Sequence, residues 1–139
     1  MDKIKRHADW QARAKAVIEA AKDKPFAYGR LDGVLFTGNV LKAITGRDVL
    51  RGMRGYRSLR GGLKNLKAKG FASPIDPFAA VLEEIPPMTA QPGDLVAFDG
   101  PMGDCMGVCM GAQAYAVEDG RGLGLTHMRE AVRAFRVPV

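Results

Sequence analysis

The chain has 139 residues, of which 47% are hydrophobic; that is one domain with a buried core, and it excludes a disordered chain. Lys and Arg number 21 against 15 Asp and Glu, a net charge of +6, yet no block of five like charges occurs, so the balance reads as a solvated basic surface rather than a dedicated patch. No apolar run reaches the ~20 residues of a membrane span, and the charged start MDKIKRHADWQ leads into no hydrophobic stretch of the kind a secretory signal carries.

The first predicted element is a helix from His7 to Lys22. Trp10, Ala14, Val17 and Ala21 fall at helical spacing, and Lys24-Pro25 ends it. The lone Trp is expected to pack against the next helix. That second helix is the centre of the chain. Pro25 to Gly29 suits a tight turn, Asp32 is a good N-cap, and Val34, Leu35, Phe36, Val40, Leu41 and Ile44 repeat at helical spacing before Gly46. A helix beginning near Gly33 follows. A basic, glycine-punctuated loop then carries Arg47, Arg51, Arg54 and Arg57. Ser58 caps a third helix, Leu59 to Lys69, with Leu59, Leu63 and Leu66 as its apolar positions and Gly70 as its stop. Asp76-Pro77 opens a short helix to about Glu84, and Ile85 to Met88 reads as an extended linker.

After Gln91-Pro92-Gly93 the periodicity changes. Asp94 to Asp99 predicts a strand, and Gly100 to Gly103 a loop. Asp104 to Gly111 is a second strand, whose internal glycine signals a bulge or a close backbone approach. Ala112 to Val117 is a third strand. Asp119-Gly120 signals a hairpin before Leu123 to Thr126, Thr126 caps a helical turn over His127 to Ala131, and Val132 to Val137 is the last strand. Helices first and an antiparallel meander second predict a single α+β domain over 1–139, with N-terminal helices packed on a C-terminal antiparallel sheet.

Few residues carry obvious chemistry. Cys105 and Cys109, four apart on a strand, lie ~13 Å from each other, too far for a disulfide. No second Cys pair or His pair completes a zinc site, so no metal or other cofactor is expected. His7 sits in the basic N-terminus. His127 is conceivable as a base for Cys105 or Cys109, although a lone His near a loop is more often a packing residue. No phosphate-cradling glycine motif occurs, and Gly61-Gly62 lies at a helix start.

One string points further. Phe26 to Phe36, FAYGRLDGVLF, resembles the nucleophile segment of NlpC/P60-type cysteine peptidases, which runs from an aromatic through Tyr or Trp and Gly to Asp-Cys and then Phe. The match rests on Phe26, Tyr28, Gly29, Asp32 and Phe36, with Gly33 at the nucleophile position. A small NlpC/P60-like family of phage and prophage tail-region proteins is similar over more of the chain, about Trp10 to Val137. That likeness includes Arg54 to Leu63 (RGYRSLRGGL), PGDLV at Pro92 to Val96 and GVCMG at Gly107 to Gly111.

The resemblance implies a helix-then-sheet order with the nucleophile helix against the sheet. It implies a catalytic Cys at a helix N-terminus, where the dipole lowers its pKa, with a His at the start of the second strand. The matching string begins at Cys105, so the His position carries Cys105. The third polar position falls among Ala116, Val117 and Glu118, and only Glu118 can serve. With Gly33 and Cys105 in place of nucleophile and base, the implied protein is a non-catalytic component of a phage tail, at its tip or baseplate or in tail assembly. Its implied partners are hub, tape-measure or tip subunits, with cell-wall peptidoglycan as a further candidate ligand. Its implied location is the virion and, during assembly, the host bacterial cytoplasm. Arg51, Arg54, Tyr56 and Arg57 are the expected partner-binding residues, because interfaces favour Arg and Tyr. The competing enzymatic reading is a cell-wall peptidase or amidase using Cys105 or Cys109 with His127, which thiol alkylation would inhibit. A nucleic-acid binder is the third reading, and it lacks an aromatic-interleaved basic stripe, since Tyr28, Tyr56 and Tyr115 are scattered.

Overall fold

A computed structural model describes residues 4–100, 103–118 and 120–139. Its helices are α1 (Trp10–Ala21), α2 (Gly33–Thr45), α3 (Leu59–Ala68) and α4 (Asp76–Ala79). The strands follow: β1 (Glu83–Ile85), β2 (Leu95–Gly100), β3 (Gly103–Cys109), β4 (Gln113–Glu118), β5 (Gly122–His127) and β6 (Ala131–Arg136). The class is α+β.

The most buried helix is α2. Asp32 is extended, and its carboxylate accepts the Leu35 N–H, satisfying a donor that the first helical turn leaves open. At the other end Gly46 takes φ 81° and donates its N–H to the Lys42 carbonyl, a left-handed stop that glycine adopts without steric cost. Between these caps Leu35, Phe36, Val40, Leu41 and Ile44 are all buried. Ala14, Ile18 and Ala21 of α1 pack into the same core.

The sheet has six strands in the order β1-β6-β2-β3-β4-β5, with every pair antiparallel. β2 to β5 form a meander. β6 then returns to the free side of β2, with a register shift at Ala97/Phe98, and β1 adds outside it. Strand alternation separates two apolar faces. Leu95, Ala97, Met106, Val108 and Phe135 join the helices in the main core. Val96, Phe98, Cys109, Ala114, Ala116 and Ala134 form a second cluster, against which Ala90, Met128 and Ala131 pack.

Several expectations change. The helix opening at Asp76 stops at Ala79, and Glu83–Ile85, expected as helix end and linker, is strand β1. Its three residues gain their hydrogen bonds from β6, far along the chain, which no local pattern reveals. Asp76 does not cap its own helix; its carboxylate accepts from Ala72 and Ser73 N–H and closes the turn before it. Pro87–Thr89 is a 3-10 turn. The cap of the Met128–Glu130 turn is His127, not Thr126: its Nδ1 accepts the Arg129 N–H. The internal glycine of β3, Gly107, marks a close approach, since a Cβ there would run into the Tyr115 carbonyl of β4. Asp119 of the expected hairpin lies outside the described residues.

Arg6, next to His7 in the basic N-terminus, is buried. Its guanidinium donates to the Val137 carbonyl (2.9 Å), the Pro92 carbonyl (2.8 Å) and Asp94 Oδ1 (3.0 Å). The Trp10 ring packs at the edge of the main core, with its centroid 4.4 Å from that guanidinium and its rim against Gly93. Among the described residues, no helix is long and apolar enough to cross a membrane.

Candidate functional site

A groove of about 660 Å³ opens at the N-terminus of α2. One wall is α3 and the preceding loop, through Met53, Tyr56, Leu59 and Leu63. The other is formed by the ends of the strands, through Phe98, Asp99, Cys105 and Glu118, and by Arg129 and Glu130 of the β5–β6 connection.

Asp32 organises its floor. The chain from Ala27 to Leu31 folds back on itself, with Gly29 at φ 82° at its tip. The Gly29 N–H donates to Asp32 Oδ2 (2.9 Å) and the Leu35 N–H to Oδ1 (2.8 Å). The Tyr56 hydroxyl donates to Oδ2 at 2.6 Å. Burial, reinforced by the bond to Asp32, pushes the Tyr56 phenol well above its ordinary pKa, so it stays a donor across the neutral range. A Cβ at Gly62 would stand 3.1 Å from the Tyr56 ring, so the glycine lets the ring lie flat on α3. A Cβ at Gly29 would run into the Tyr56 carbonyl. Gly29, Asp32, Tyr56 and Gly62 therefore act as one unit fastening the loop and α3 to the start of α2.

Gly33 is the first residue of α2, and a Cβ built on it would lie 3.7 Å from Cys105 Sγ, 3.6 Å from the Met106 backbone nitrogen and 3.2 Å from the Val117 carbonyl. The Cys105 thiol donates to that same Val117 carbonyl at 3.4 Å. The helix start and the start of β3 thus meet at the groove. Glu118, next along β4, lines the groove while staying exposed, 3.8 Å from Arg121.

The other candidates fall elsewhere. Cys109 is fully buried in the second apolar cluster and does not line the groove. Burial raises its thiol pKa, the opposite of what a nucleophile requires. His127 is exposed, is absent from the groove lining, and uses Nδ1 to cap a turn. No histidine is among the lining residues, so the groove offers no imidazole base to Cys105. Neither cysteine is in a disulfide. Among the described residues, no cluster of three or more His, Cys, Asp or Glu could hold a metal ion.

The four expected partner-binding residues divide. Arg51 and Arg57 are exposed. Arg54 pairs with Asp48 at 3.1 Å, and Tyr56 turns inward to Asp32. Tyr56 is thus a structural tie lining the groove, and its partner could have been sought from the glycines at 29 and 62, which make room for it. Arg6 and Asp94 were the residues that sequence reasoning passed over.

A model of a domain of unknown function, DUF6950, matches residues 5–137. The chain belongs to this family. No curated protein matches it. The family match takes in Arg6 and Val137, the two ends of the N- to C-terminal clasp, as well as every residue of the groove. The match therefore spans every helix and strand named above.

Proposed function

We propose that this DUF6950 protein is a non-catalytic member of the NlpC/P60-like group, working as a structural or assembly subunit of a phage tail. One observation carries the reading. Gly33 begins a buried helix and its missing Cβ faces Cys105 across the groove. These are the positions at which the resemblance sets nucleophile and base, and neither residue can play its part. Glycine has no nucleophilic atom, and Cys105 is not an imidazole. General-base catalysis needs a group within hydrogen-bond reach of the proton it takes, tuned near the working pH. The groove supplies no histidine for that purpose. What persists is a shaped, partly apolar groove fitted for binding, with peptidoglycan as the ligand to which the resemblance points.

Two measurements test the reading. Purified protein incubated with peptidoglycan is expected to release no new amino groups, with or without prior thiol alkylation; alkylation-sensitive release would overturn the non-catalytic assignment. Deleting the coding sequence from a phage or prophage that carries it is expected to give defective tails. Normal, infectious particles from the deletion would remove the tail role.

A further inference from the structure

We infer that the loop from Arg47 to Arg57 and the outer face of α3 form one docking surface for an acidic protein partner with an apolar spot at its centre. This rests on reading the chain as an assembly subunit and names the chemistry of the surface that subunit would meet.

The first observation is charge segregation. Between Lys42 and Lys69 stand nine Lys and Arg and one acid, Asp48, a local charge of +8; the whole chain carries +6, so everything else together is at −2. The second is pairing. Elsewhere Lys5, Lys15, Lys24 and Arg30 have no ion pair among the described residues, while Arg6, Arg13, Lys22, Arg121, Arg129, Arg133 and Arg136 each lie within 4 Å of a carboxylate. Within the basic segment only Arg54 does, and it neutralises Asp48. The remaining cations, Arg47, Arg51, Arg57 and Arg60 foremost, have no ion pair among the described residues.

The third observation is that loop and helix form one surface. The Asn65 side chain donates to the Met53 carbonyl at 3.1 Å, and the Lys69 ammonium lies over Gly52, 3.0 Å from where its Cβ would be. Like charges held together on a fastened surface repel one another, and an opposing acidic surface relieves that repulsion.

Two features favour a protein over a nucleic acid. Leu63 is 43% exposed in the middle of Arg60, Lys64 and Lys67, giving the apolar centre and charged rim of a protein interface. The one aromatic of the segment, Tyr56, is committed to Asp32 and to the α3 glycines, so no ring is offered for base stacking. Arg also matches carboxylates bidentately, an advantage Lys lacks.

The test uses three probes on the full chain: a designed Glu-rich helical peptide with a leucine stripe, the same peptide with the stripe changed to serine, and a short DNA duplex. The striped peptide is expected to bind, to weaken as salt rises, and to bind about tenfold more tightly than the serine version, the effect of burying one leucine-sized group. Leu63→Ser is expected to lose about the same factor. A triple variant, Arg57→Ala, Arg60→Ala and Lys64→Ala, is expected to lose binding with an unchanged melting temperature, since all three side chains are exposed. The assignment is overturned if no probe binds at low salt, if the duplex competes off the striped peptide, or if Leu63→Ser changes affinity by less than twofold. Because these readouts use isolated protein, they fail independently of the tail role, which the deletion test decides.

Discussion

Gly33 and Cys105 meet across the mouth of the groove: a Cβ on the first would stand 3.7 Å from the sulfur of the second. A cysteine at position 33 would carry its own sulfur on that Cβ, beside the Cys105 sulfur, so a small side-chain adjustment brings the two sulfurs to bonding distance. Gly33→Cys is therefore expected to form a disulfide with Cys105 under mild oxidation, leaving Cys109 as a thiol. Mass spectrometry of peptides from the oxidised variant checks this. A variant that stays fully reduced under those conditions would show that the two positions do not face each other, and the inactive-peptidase reading would lose its main support.

The same pair permits a chemical reconstruction. Gly33→Cys alone is expected to give no peptidoglycan turnover, because no imidazole lines the groove. Adding Cys105→His sets an imidazole beside a thiol at a helix N-terminus, and both lower a thiol pKa. The double variant should alkylate with iodoacetamide at pH 6 at least ~10-fold faster than Gly33→Cys with Cys105→Ala, a thiolate fraction one pKa unit apart. Equal rates would mean that the groove does not support a thiol–imidazole geometry.

How much of this was legible beforehand depends on how far apart the partners are. Asp32 and Gly46 act on backbone groups within four residues of themselves, so the sequence alone marked both ends of α2. The meander strands were legible from alternation and turns. β1 was not, because its hydrogen bonds come from β6. Arg6 was not, because Asp94 is 88 residues away and nothing near Arg6 marks it as buried. At the site, the meeting of Gly33 with Cys105 was foreseeable only through the peptidase resemblance. The inward turn of Tyr56 was not foreseen at all: an Arg- and Gly-rich loop looks solvated, and the cue lay in glycines at 29 and 62 whose purpose appears only when the ring is packed between them.

Tyr56→Phe should separate the hydroxyl from the ring. The ring still packs on Gly62, but buried Asp32 loses a 2.6 Å donor, a loss of about 1–3 kcal/mol. Asp32→Ala should cost more, because the N-cap and the Gly29 contact go with it. The pH dependence has a definite sign. The folded phenol pKa is raised above its unfolded value near 10, so this group's contribution is fully present below about pH 10 and is lost as pH rises toward the folded pKa. Wild-type protein should lose stability between about pH 10 and 12, and Tyr56→Phe should lose less over that window. Parallel urea melts at pH 8 and pH 11 decide it; identical pH slopes would contradict the assigned hydrogen bond.

The clasp between Arg6 and Asp94 makes the strongest stability prediction. Both side chains are almost wholly buried, at 5% and 1% exposure, so the pair exchanged hydration for fixed partners. Asp94 has other donors: the Val137 N–H at 2.9 Å and the Gln91 N–H at 2.8 Å, with Arg136 more distant at 3.9 Å. Arg6 in turn holds the Pro92 and Val137 carbonyls. Removing the guanidinium leaves a buried carboxylate short of its countercharge and two carbonyls short of a donor, and such half-deletions cost about 3–5 kcal/mol. Arg6→Ala is expected at the upper end, since the support for the Trp10 ring goes too. Arg6→Met with Asp94→Leu should recover part of the loss, because an apolar pair of similar volume leaves no buried charge behind. Amide exchange at Val137, whose N–H donates to Asp94, would accelerate in Arg6→Ala and report the release of the C-terminal strand from the N-terminus. A melting temperature within a degree or two of wild type for Arg6→Ala would mean that the clasp contributes nothing to the fold.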